Sequence, residues 1–156
     1  MDLKRIEKSS DTVNWAEISE HEKLSENFIE KHADKLDWYY ILKHQPLSEK
    51  FIERHIERIV NKLDWFLVSA FQKLSENFIE KHLDEVDWEY ISARQHLSEE
   101  FIEKYADKVD WENISRHQKL SKEFIEKHLN QVDWYYISKY QHLSESFIEK
   151  YSNKIG

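Results

Sequence analysis

Histidine recurs along this 156-residue chain at a fixed distance from tryptophan, and histidine side chains can bind metal ions. The six tryptophans are Trp15, Trp38, Trp65, Trp88, Trp111 and Trp134. Seventeen positions after them stand His32, His55, His82, Tyr105, His128 and Tyr151. Nitrogen ligands lie about 2 Å from a zinc ion, whereas neighbouring helices lie about 8–10 Å apart. We therefore expect a half-buried ladder of packing and hydrogen bonds here, and no metal site.

Glutamate is invariant within the chain at the position fifteen residues after each tryptophan, and carboxylates can act as catalytic acids or bases. The six are Glu30, Glu53, Glu80, Glu103, Glu126 and Glu149. Catalytic carboxylates work as one pair in unlike environments, not as six equivalent copies. We expect each to tie its repeat to the next, through a backbone or tryptophan N–H. A single glycine excludes a phosphate-binding loop, so the sequence predicts no enzyme and no cofactor.

The composition narrows the classes of partner and location. Asp and Glu number 31 against 23 Lys and Arg, a net charge of −8. This balance disfavours binding to nucleic acid or to an anionic membrane. Cysteine is absent, which excludes disulfides and thiolate chemistry. Neither a membrane-spanning run nor a signal peptide is recognisable, so we expect a cytoplasmic protein, inside a bacterial or host cell.

The tryptophans mark an internal repeat. Their spacings are 23, 27, 23, 23 and 23 residues. With Trp as position 0, position +9 is always Leu, +10 Ser, +13 Phe and +14 Ile. One glycine and one proline argue against a fold built from tight β-hairpins. Repetition at this period is typical of a solenoid or a similar repeat array.

Each repeat has two predicted helix starts. Asn or Asp, both good N-caps, precedes every tryptophan: Asn14, Asp37, Asp64, Asp87, Asp110 and Asp133. A second cap at +10 is Ser25, Ser48, Ser75, Ser98, Ser121 and Ser144. We predict helix A, of about eight residues, and helix B, of about nine, both too short to be stable unless stacked. The Gln at +7 of later repeats should satisfy the turn between helices A and B.

These signals predict an all-α fold in a single domain over residues 1–156. The chain should form an α-solenoid of six two-helix repeats, which start at Trp15, Trp38, Trp65, Trp88, Trp111 and Trp134. A capping half-repeat over residues 1–14 should precede them, because Ile6, Glu7 and Lys8 match the Ile-Glu-Lys of helix B.

The pattern D-W-x-x-I-S-x-x-Q-x-L-S-E-x-F-I-E-K resembles that of short two-helix repeat proteins found in phages, giant viruses and mobile elements. The resemblance extends from Ile6 to Ile155. It implies a solenoid and a viral or phage origin, and no catalytic residues. It also implies an inhibitor that binds and blocks a host protein, such as a CRISPR or other defence nuclease.

The repeats diverge on one face of helix A, at positions +1, +2, +5 and +6, which we call the variable face. It carries eight aromatic residues where a solvated helix would carry Lys and Glu. The candidate partner-binding residues are Tyr39, Tyr40, His44, Phe66, Leu67, Phe71, Tyr90, Arg94, Arg116, His117, Tyr135, Tyr136, Lys139 and Tyr140. Tyr and Arg are enriched at binding hot spots. Alternatively, some of these aromatics pack against neighbouring helices.

The middle of the chain is irregular. Four extra residues between Trp38 and Trp65 are predicted to lengthen helix B by about one turn. The added turn could cover the apolar helix A that follows. Alternatively, the region Ile56 to Phe71 is an exposed apolar patch for a partner or for self-association.

The leading hypothesis is a non-catalytic protein-binding repeat protein. The runner-up is a binder of single-stranded nucleic acid, because helical repeats can read bases with a few side chains each and tyrosine can stack on bases. An acidic mimic of nucleic acid is a further alternative, as is a self-assembling spacer. The net charge of −8 disfavours nucleic acid as the partner.

Overall fold

The computed structural model describes residues 13–155, and within them it contains twelve α-helices, one short 3-10 helix and no strand. This confirms the predicted all-α helical-repeat solenoid, with two α-helices in every repeat from Trp15 onward. Residues 1–12 lie outside the described part of the chain, and with them most of the half-repeat predicted over residues 1–14.

The helices alternate between type A and type B along the chain. The A helices are α1 (Trp15–His21), α3 (Trp38–His44), α5 (Lys62–Phe71), α7 (Trp88–Arg94), α9 (Trp111–His117) and α11 (Trp134–Tyr140). The B helices are α2 (Glu26–Lys31), α4 (Glu49–Arg54), α6 (Glu76–Lys81), α8 (Glu99–Lys104), α10 (Lys122–Lys127) and α12 (Glu145–Lys150). The 3-10 helix is Ile56–Arg58.

The predicted caps begin nearly every helix, but the helices are shorter than predicted. In α9, for example, the Asp110 carboxylate accepts from the Asn113 N–H at 2.8 Å, and in α10 the Ser121 hydroxyl accepts from the Phe124 N–H at 3.1 Å. Most A helices have seven residues and the B helices six. Each B helix ends early because a turn follows it. In the turn after α10, for example, the His128 carbonyl accepts the backbone N–H of Gln131.

The four inserted residues lengthen an A helix, so the prediction that they extend helix B is wrong. Helix α4 ends at Arg54 like its counterparts, and the 3-10 helix follows it. Helix α5 then begins early, at Lys62, and has ten residues. Its N-cap is Asn61, and the predicted cap Asp64 is instead the third residue of the helix and completes a capping box with Asn61.

Leu42, which replaces the usual serine at +4, accompanies this longer helix. In three other repeats the +4 serine, Ser19, Ser92 or Ser115, is buried and accepts the backbone N–H of the next repeat's cap, as Ser92 Oγ does from Asp110 at 2.9 Å. The corresponding N–H of Asp64 donates to Asn61 Oδ1 at 3.0 Å, because it lies inside α5. A hydroxyl at position 42 therefore has no such donor to accept from, and Leu42 is fully buried as an apolar residue.

The helices form two compact units, the first ending at Lys73 and the second beginning at Leu74. In the first unit α1 packs on α3 and α3 on α5; in the second α7 packs on α9 and α9 on α11. The +3 residue of every A helix is buried at the centre of these contacts: Ile18, Ile41, Val68, Ile91, Ile114 and Ile137. Stacking thus supplies the apolar burial that a six- or seven-residue helix lacks by itself.

In both units a glutamine at +7, buried except for the half-buried Gln141, connects a repeat to the one before it. Gln118 Oε1 accepts the Leu97 N–H at 3.1 Å, and its Nε2 donates to the carbonyls of Ser92 and Gln95, both at 2.8 Å. Gln45, Gln72 and Gln141 make the same kind of bonds. The prediction that these glutamines satisfy an A–B turn is confirmed, but the turn belongs to the preceding repeat.

Replacing Gln118 by Ala should lower the free energy of unfolding by at least about 2 kcal/mol. The substitution leaves one buried N–H and two buried carbonyls without their partner. Urea unfolding followed by circular dichroism measures the change. Gln131→Ala is the matched control, since Gln131 is exposed and its side chain meets only His128, at 2.6 Å. It should cost about 1 kcal/mol or less, and equal losses in the two variants would contradict the structural role of Gln118.

Candidate functional site

Four of the residues at +17, His55, Tyr105, His128 and Tyr151, form the predicted ladder of packing and hydrogen bonds. His128 Nε2 lies 2.7 Å from Glu103 Oε2 of the preceding repeat, and His55 Nε2 lies 3.1 Å from Glu30 Oε2. The His128 ring packs between those of Trp111 and Phe124, with centroids 4.9 and 4.4 Å away. Tyrosine replaces histidine without loss of the contact, because the Tyr105 hydroxyl donates to Glu80 at 3.2 Å.

Glutamates at +15 tie neighbouring repeats together within each unit, as predicted, but through different partners. Glu30, Glu80, Glu103 and Glu126 contact the +16 and +17 residues of the following repeat, and in the second unit the +16 residue is a lysine. The Lys–Glu distances are 2.6 Å for Lys104–Glu80, 2.9 Å for Lys127–Glu103 and 2.9 Å for Lys150–Glu126. The expected tryptophan N–H donates elsewhere, as in Trp111 Nε1 to the Ala106 carbonyl at 3.0 Å.

These lysine hydrogen bonds lower the pKa values of Glu80, Glu103 and Glu126 below their ordinary 4.5, and in Glu103 a hydrogen bond from His128 adds to the effect. The same pairs raise the pKa values of Lys104 and Lys150. Every group is therefore held in its charged form at neutral pH. These contacts form an ion-pair network between repeats. This role further disfavours the interpretation of the +15 glutamates as catalytic carboxylates.

The contribution of Glu103 to stability should depend on pH in a defined direction. A carboxyl whose pKa is lowered by folding stabilises the fold above pH 4.5, and this contribution is lost as the pH falls through the lowered pKa. The urea midpoint of Glu103→Gln should therefore lie below that of the unmodified protein at about pH 6 and converge with it near about pH 3. A difference that stays constant down to that pH would contradict this role of Glu103.

Substitutions at position 128 should separate the contribution of the hydrogen bond with Glu103 to stability from the contribution of ring packing. His128→Tyr should keep most of the stability, because Tyr105 and Tyr151 occupy the same position and contact Glu80 and Glu126. His128→Phe should cost about 1 kcal/mol more than His128→Tyr, since its ring packs but cannot reach Glu103 with a donor. The measurement is thermal or urea unfolding of both variants. Equal stability of the two would contradict a stabilising role for the hydrogen bond to Glu103.

Residues 13–155 contain neither a metal site nor a membrane-spanning helix. No group of three or more His, Cys, Asp or Glu side chains is placed there so as to hold a metal ion. None of the helices in that range is both long and apolar enough to cross a bilayer.

The variable face of the A helices separates into exposed and packed positions. The exposed candidates are Tyr39, His44, Phe71, Arg94, Arg116, His117, Tyr135, Lys139 and Tyr140. The half-buried ones are Tyr40, Phe66, Tyr90 and Tyr136. Leu67 is only 1% exposed, so its inclusion in the partner-binding surface is wrong. It belongs to the core of the first unit, in the lengthened helix α5.

Tyr136, at +2 of α11, is half-buried and contacts the preceding A helix. The guanidinium of Arg116 in α9 lies 5.4 Å from the ring centroid of Tyr136 in α11. The pKa of the Tyr136 hydroxyl is raised mainly by a hydrogen bond with Glu112, which is also in α9. Burial of the hydroxyl raises this pKa further. The interpretation of some aromatics as packing residues therefore holds for Tyr136, whereas Tyr135 at +1 and Tyr140 at +6 are exposed.

The most exposed aromatic cluster lies on α11. The ring of Tyr136 makes an edge contact with Tyr135 at 5.1 Å and stacks on Tyr140 at 6.0 Å. The ammonium of Lys139 lies 5.4 Å from both the Tyr135 and Tyr140 rings, and the Tyr135 hydroxyl raises the pKa of Lys139. Tyr135 is 63% exposed and Tyr140 45%. These two rings are thus fixed in place by neighbours, yet open to solvent.

The first unit repeats this arrangement on α3. Tyr39 makes an edge contact with Tyr40 at 5.2 Å, and Tyr40 stacks on His44 at 6.1 Å. Lys43 lies 5.4 Å from the Tyr39 ring, as Lys139 does from Tyr135. The same helix sequence pattern, Trp-Tyr-Tyr-Ile, therefore gives the same ring geometry in both units.

The inserted residues leave apolar side chains exposed near the start of α5. Val60 is 74% exposed and Leu63 53%, whereas Ile59 is buried. Phe71 at the end of α5 is 49% exposed and makes an edge contact with Phe66 at 6.2 Å. The exposed side chains Val60, Leu63 and Phe71 favour the exposed-patch alternative for this region, whereas Leu67 in the same helix is buried and Phe66 half-buried.

Three exposed residues beside the variable face were not predicted from the sequence: His96, Lys119 and His142. They occupy position +8, directly beyond the end of helix A. The signal that could have identified them is the absence of Asp and Glu at +5, +6 and +8 from the second repeat onward. Only the first repeat has an acidic residue there, Glu20 at +5.

Comparison of the chain with protein-family models, with curated proteins and with solved structures gave no match. A functional assignment therefore depends on the chemistry of the chain's own side chains. The surface with the clearest chemistry is the variable face, where exposed tyrosines are held beside cations on α3 and on α11.

Proposed function

We propose that this chain is a non-catalytic helical-repeat protein that binds another protein through the variable face of its A helices. The observation that carries the proposal is the cluster on α11, where Tyr135 and Tyr140 are both held by Lys139 and both open to solvent. A folded chain seldom leaves large aromatic rings exposed beside one another without a partner for them.

The physical basis is the low entropic cost of binding to rings that are already positioned. Tyrosine has two side-chain torsions and a large amphipathic surface, which makes it effective at interfaces. The edge contact between Tyr135 and Tyr136 and the cation of Lys139 further restrict those torsions before any partner arrives. Pre-organisation of this kind strengthens binding without adding contacts.

The charges on the described residues favour a protein partner over nucleic acid. Exposed Glu89 and Glu112 stand on the same helices as Arg94 and Arg116, so the variable face has mixed charge. The acidic-mimic alternative is weakened by the B helices, because the +15 glutamates are neutralised by lysine partners, as in Glu103–Lys127 at 2.9 Å. A mimic of nucleic acid would need its carboxylates unpaired and facing outward.

The resemblance to phage and viral repeat proteins makes a host protein, such as a CRISPR or other defence nuclease, a candidate partner that binding would inhibit. The exposed apolar residues Val60, Leu63 and Phe71 make self-association a second candidate interaction, in the first unit. Only the variable face recurs in both units, which is why we assign recognition to it.

Selection from a library of phage-displayed random peptides tests the proposal even while the natural partner is unidentified. Peptides selected on the unmodified protein should bind Tyr135→Ala/Tyr140→Ala at least about tenfold more weakly, since such anchors dominate binding energy. The control is Ile148→Ala, because Ile148 on α12 is 43% exposed, close to Tyr140 at 45%. It should change affinity less than about twofold.

Melting temperatures of both variants should stay close to that of the unmodified protein, because exposed substitutions usually change stability little. This separates loss of binding from loss of fold. Failure to select any peptide, or peptides that bind the double tyrosine variant and the Ile148 variant equally, would contradict the assignment of recognition to the variable face.

A further inference from the structure

The A helices of the second unit end in a continuous set of exposed basic and neutral side chains. At +5, +6 and +8 the exposed residues are Arg94, His96, Arg116, His117, Lys119, Lys139, Tyr140 and His142, which we call the basic strip. The other residue at these positions is Ala93, so no acidic side chain interrupts the strip. This is unexpected in a chain whose net charge is −8.

The cations of the basic strip differ from those of the B helices in having no carboxylate partner. On the B side, lysine and arginine pair with the +15 glutamates, as in Lys104–Glu80 at 2.6 Å. Within residues 13–155, no ion pair involves Arg94, Arg116, Lys119 or Lys139. Arg116 and Lys139 lie over tyrosine rings instead, which leaves their positive charge unneutralised.

The strip is continuous across three stacked helices. Burial lowers the pKa of His117, and the charges of Arg116 and Arg94 lower it further, so cations of α7 and α9 both act at this point. Arg116 also lies 5.9 Å from the ring centroid of Tyr140, which joins α9 to α11. Positive charge therefore runs from helix to helix along the direction in which the repeats stack.

The helix dipole accounts for only part of this pattern. Cations are favourable in the last turn of a helix, which covers +5 and +6. It does not explain Lys119, His96 and His142, which lie beyond the helix ends at +8. Nor does it exclude acidic residues there, since the first repeat has Glu20 in the same turn.

We propose that the basic strip binds an extended acidic segment of the partner protein, with a carboxylate at about every third residue. Stacked helices lie about 8–10 Å apart, and an extended chain advances about 3.1–3.3 Å per residue. Three residues therefore span one helix spacing, so successive carboxylates meet the cations of α7, α9 and α11 in turn. The inference rests on the proposed protein-binding function and specifies the chemistry of the bound segment.

A carboxylate-bearing peptide suits this surface better than single-stranded nucleic acid. The exposed carboxylates of Glu89 and Glu112 stand on the same helices as the strip, at +1. A peptide with one charge every third residue can place neutral residues against them, whereas a nucleic acid carries a phosphate on every nucleotide. Tyr140 within the strip gives the neutral residues between carboxylates an aromatic surface to contact.

Fluorescence polarisation with labelled peptides tests the inference on the full-length protein. The probe is a peptide of four Glu-Gly-Ser triplets, and its control has the same composition with the four glutamates in one block. The triplet peptide should bind at least about threefold more tightly than the block peptide, because only it matches the helix spacing. Its affinity should fall as salt is raised.

Charge-removing variants locate the binding. Arg116→Gln/Lys139→Gln should weaken the triplet peptide by roughly tenfold or more, the scale of one lost charge-assisted hydrogen bond. Arg94→Gln/Lys119→Gln should do the same, and within residues 13–155 neither Arg94 nor Lys119 lies over a tyrosine ring. Lys50→Gln/Lys122→Gln is the charge-matched control on exposed B-helix lysines and should change affinity less than about twofold.

Several outcomes would overturn the inference. Equal binding of the triplet and block peptides would show non-specific attraction, and tighter binding of a twelve-nucleotide oligothymidylate would show a nucleic-acid site. If the triplet peptide does not bind while library-selected peptides still depend on Tyr135 and Tyr140, the acidic segment is wrong and the proposed function stands. If the triplet peptide binds through the strip but no selected peptide depends on those tyrosines, the recognition surface has been misassigned.

Discussion

The structure depends on one buried hydrogen-bond set, the glutamine that each later repeat inserts into the repeat before it. Gln118 supplies one acceptor and two donors to backbone groups at the end of α7 and in the turn that follows. A helix of seven residues leaves many such groups without intrahelical partners. Because the partner comes from the next repeat, no repeat can satisfy its own turn, and the fold exists only as a stack.

The remaining inter-repeat bonds leave most positions of the variable face free to vary. The Glu103 carboxylate receives Lys127 and His128 of the next repeat, and Trp111 caps a turn carbonyl of the repeat before it. With the serine at +4 and the glutamate at +11, such as Ser92 and Glu99, the inter-repeat bonds use positions 0, +4, +7, +11, +15, +16 and +17. Positions +1, +5 and +6 make no such repeated tie, which explains how Tyr135 and Glu112 can stand at equivalent places in the same scaffold.

The sequence predicts what is local and misses what depends on how repeats stack. Caps such as Ser121 are identifiable because the groups they satisfy lie within three residues. The partners of Glu103 and Gln118 lie 21 to 26 residues away, and identical repeats contain no signal of which copy they reach. Analogy with the other repeats makes Asp64 a cap, but the inserted residues provide Asn61, a competing cap three residues earlier. The same analogy places Leu67 on the surface, because it ignores the local change in α5.

Native-state hydrogen exchange of the Leu97 amide tests the account most directly. Leu97 stands in a turn between two short helices, and its N–H donates only to Gln118 of the next repeat, at 3.1 Å. If inter-repeat glutamines hold the stack, this turn amide should exchange as slowly as the core amide of Ile102. Exchange at the fast rate of an ordinary exposed turn would contradict the claim that each repeat is closed by its neighbour.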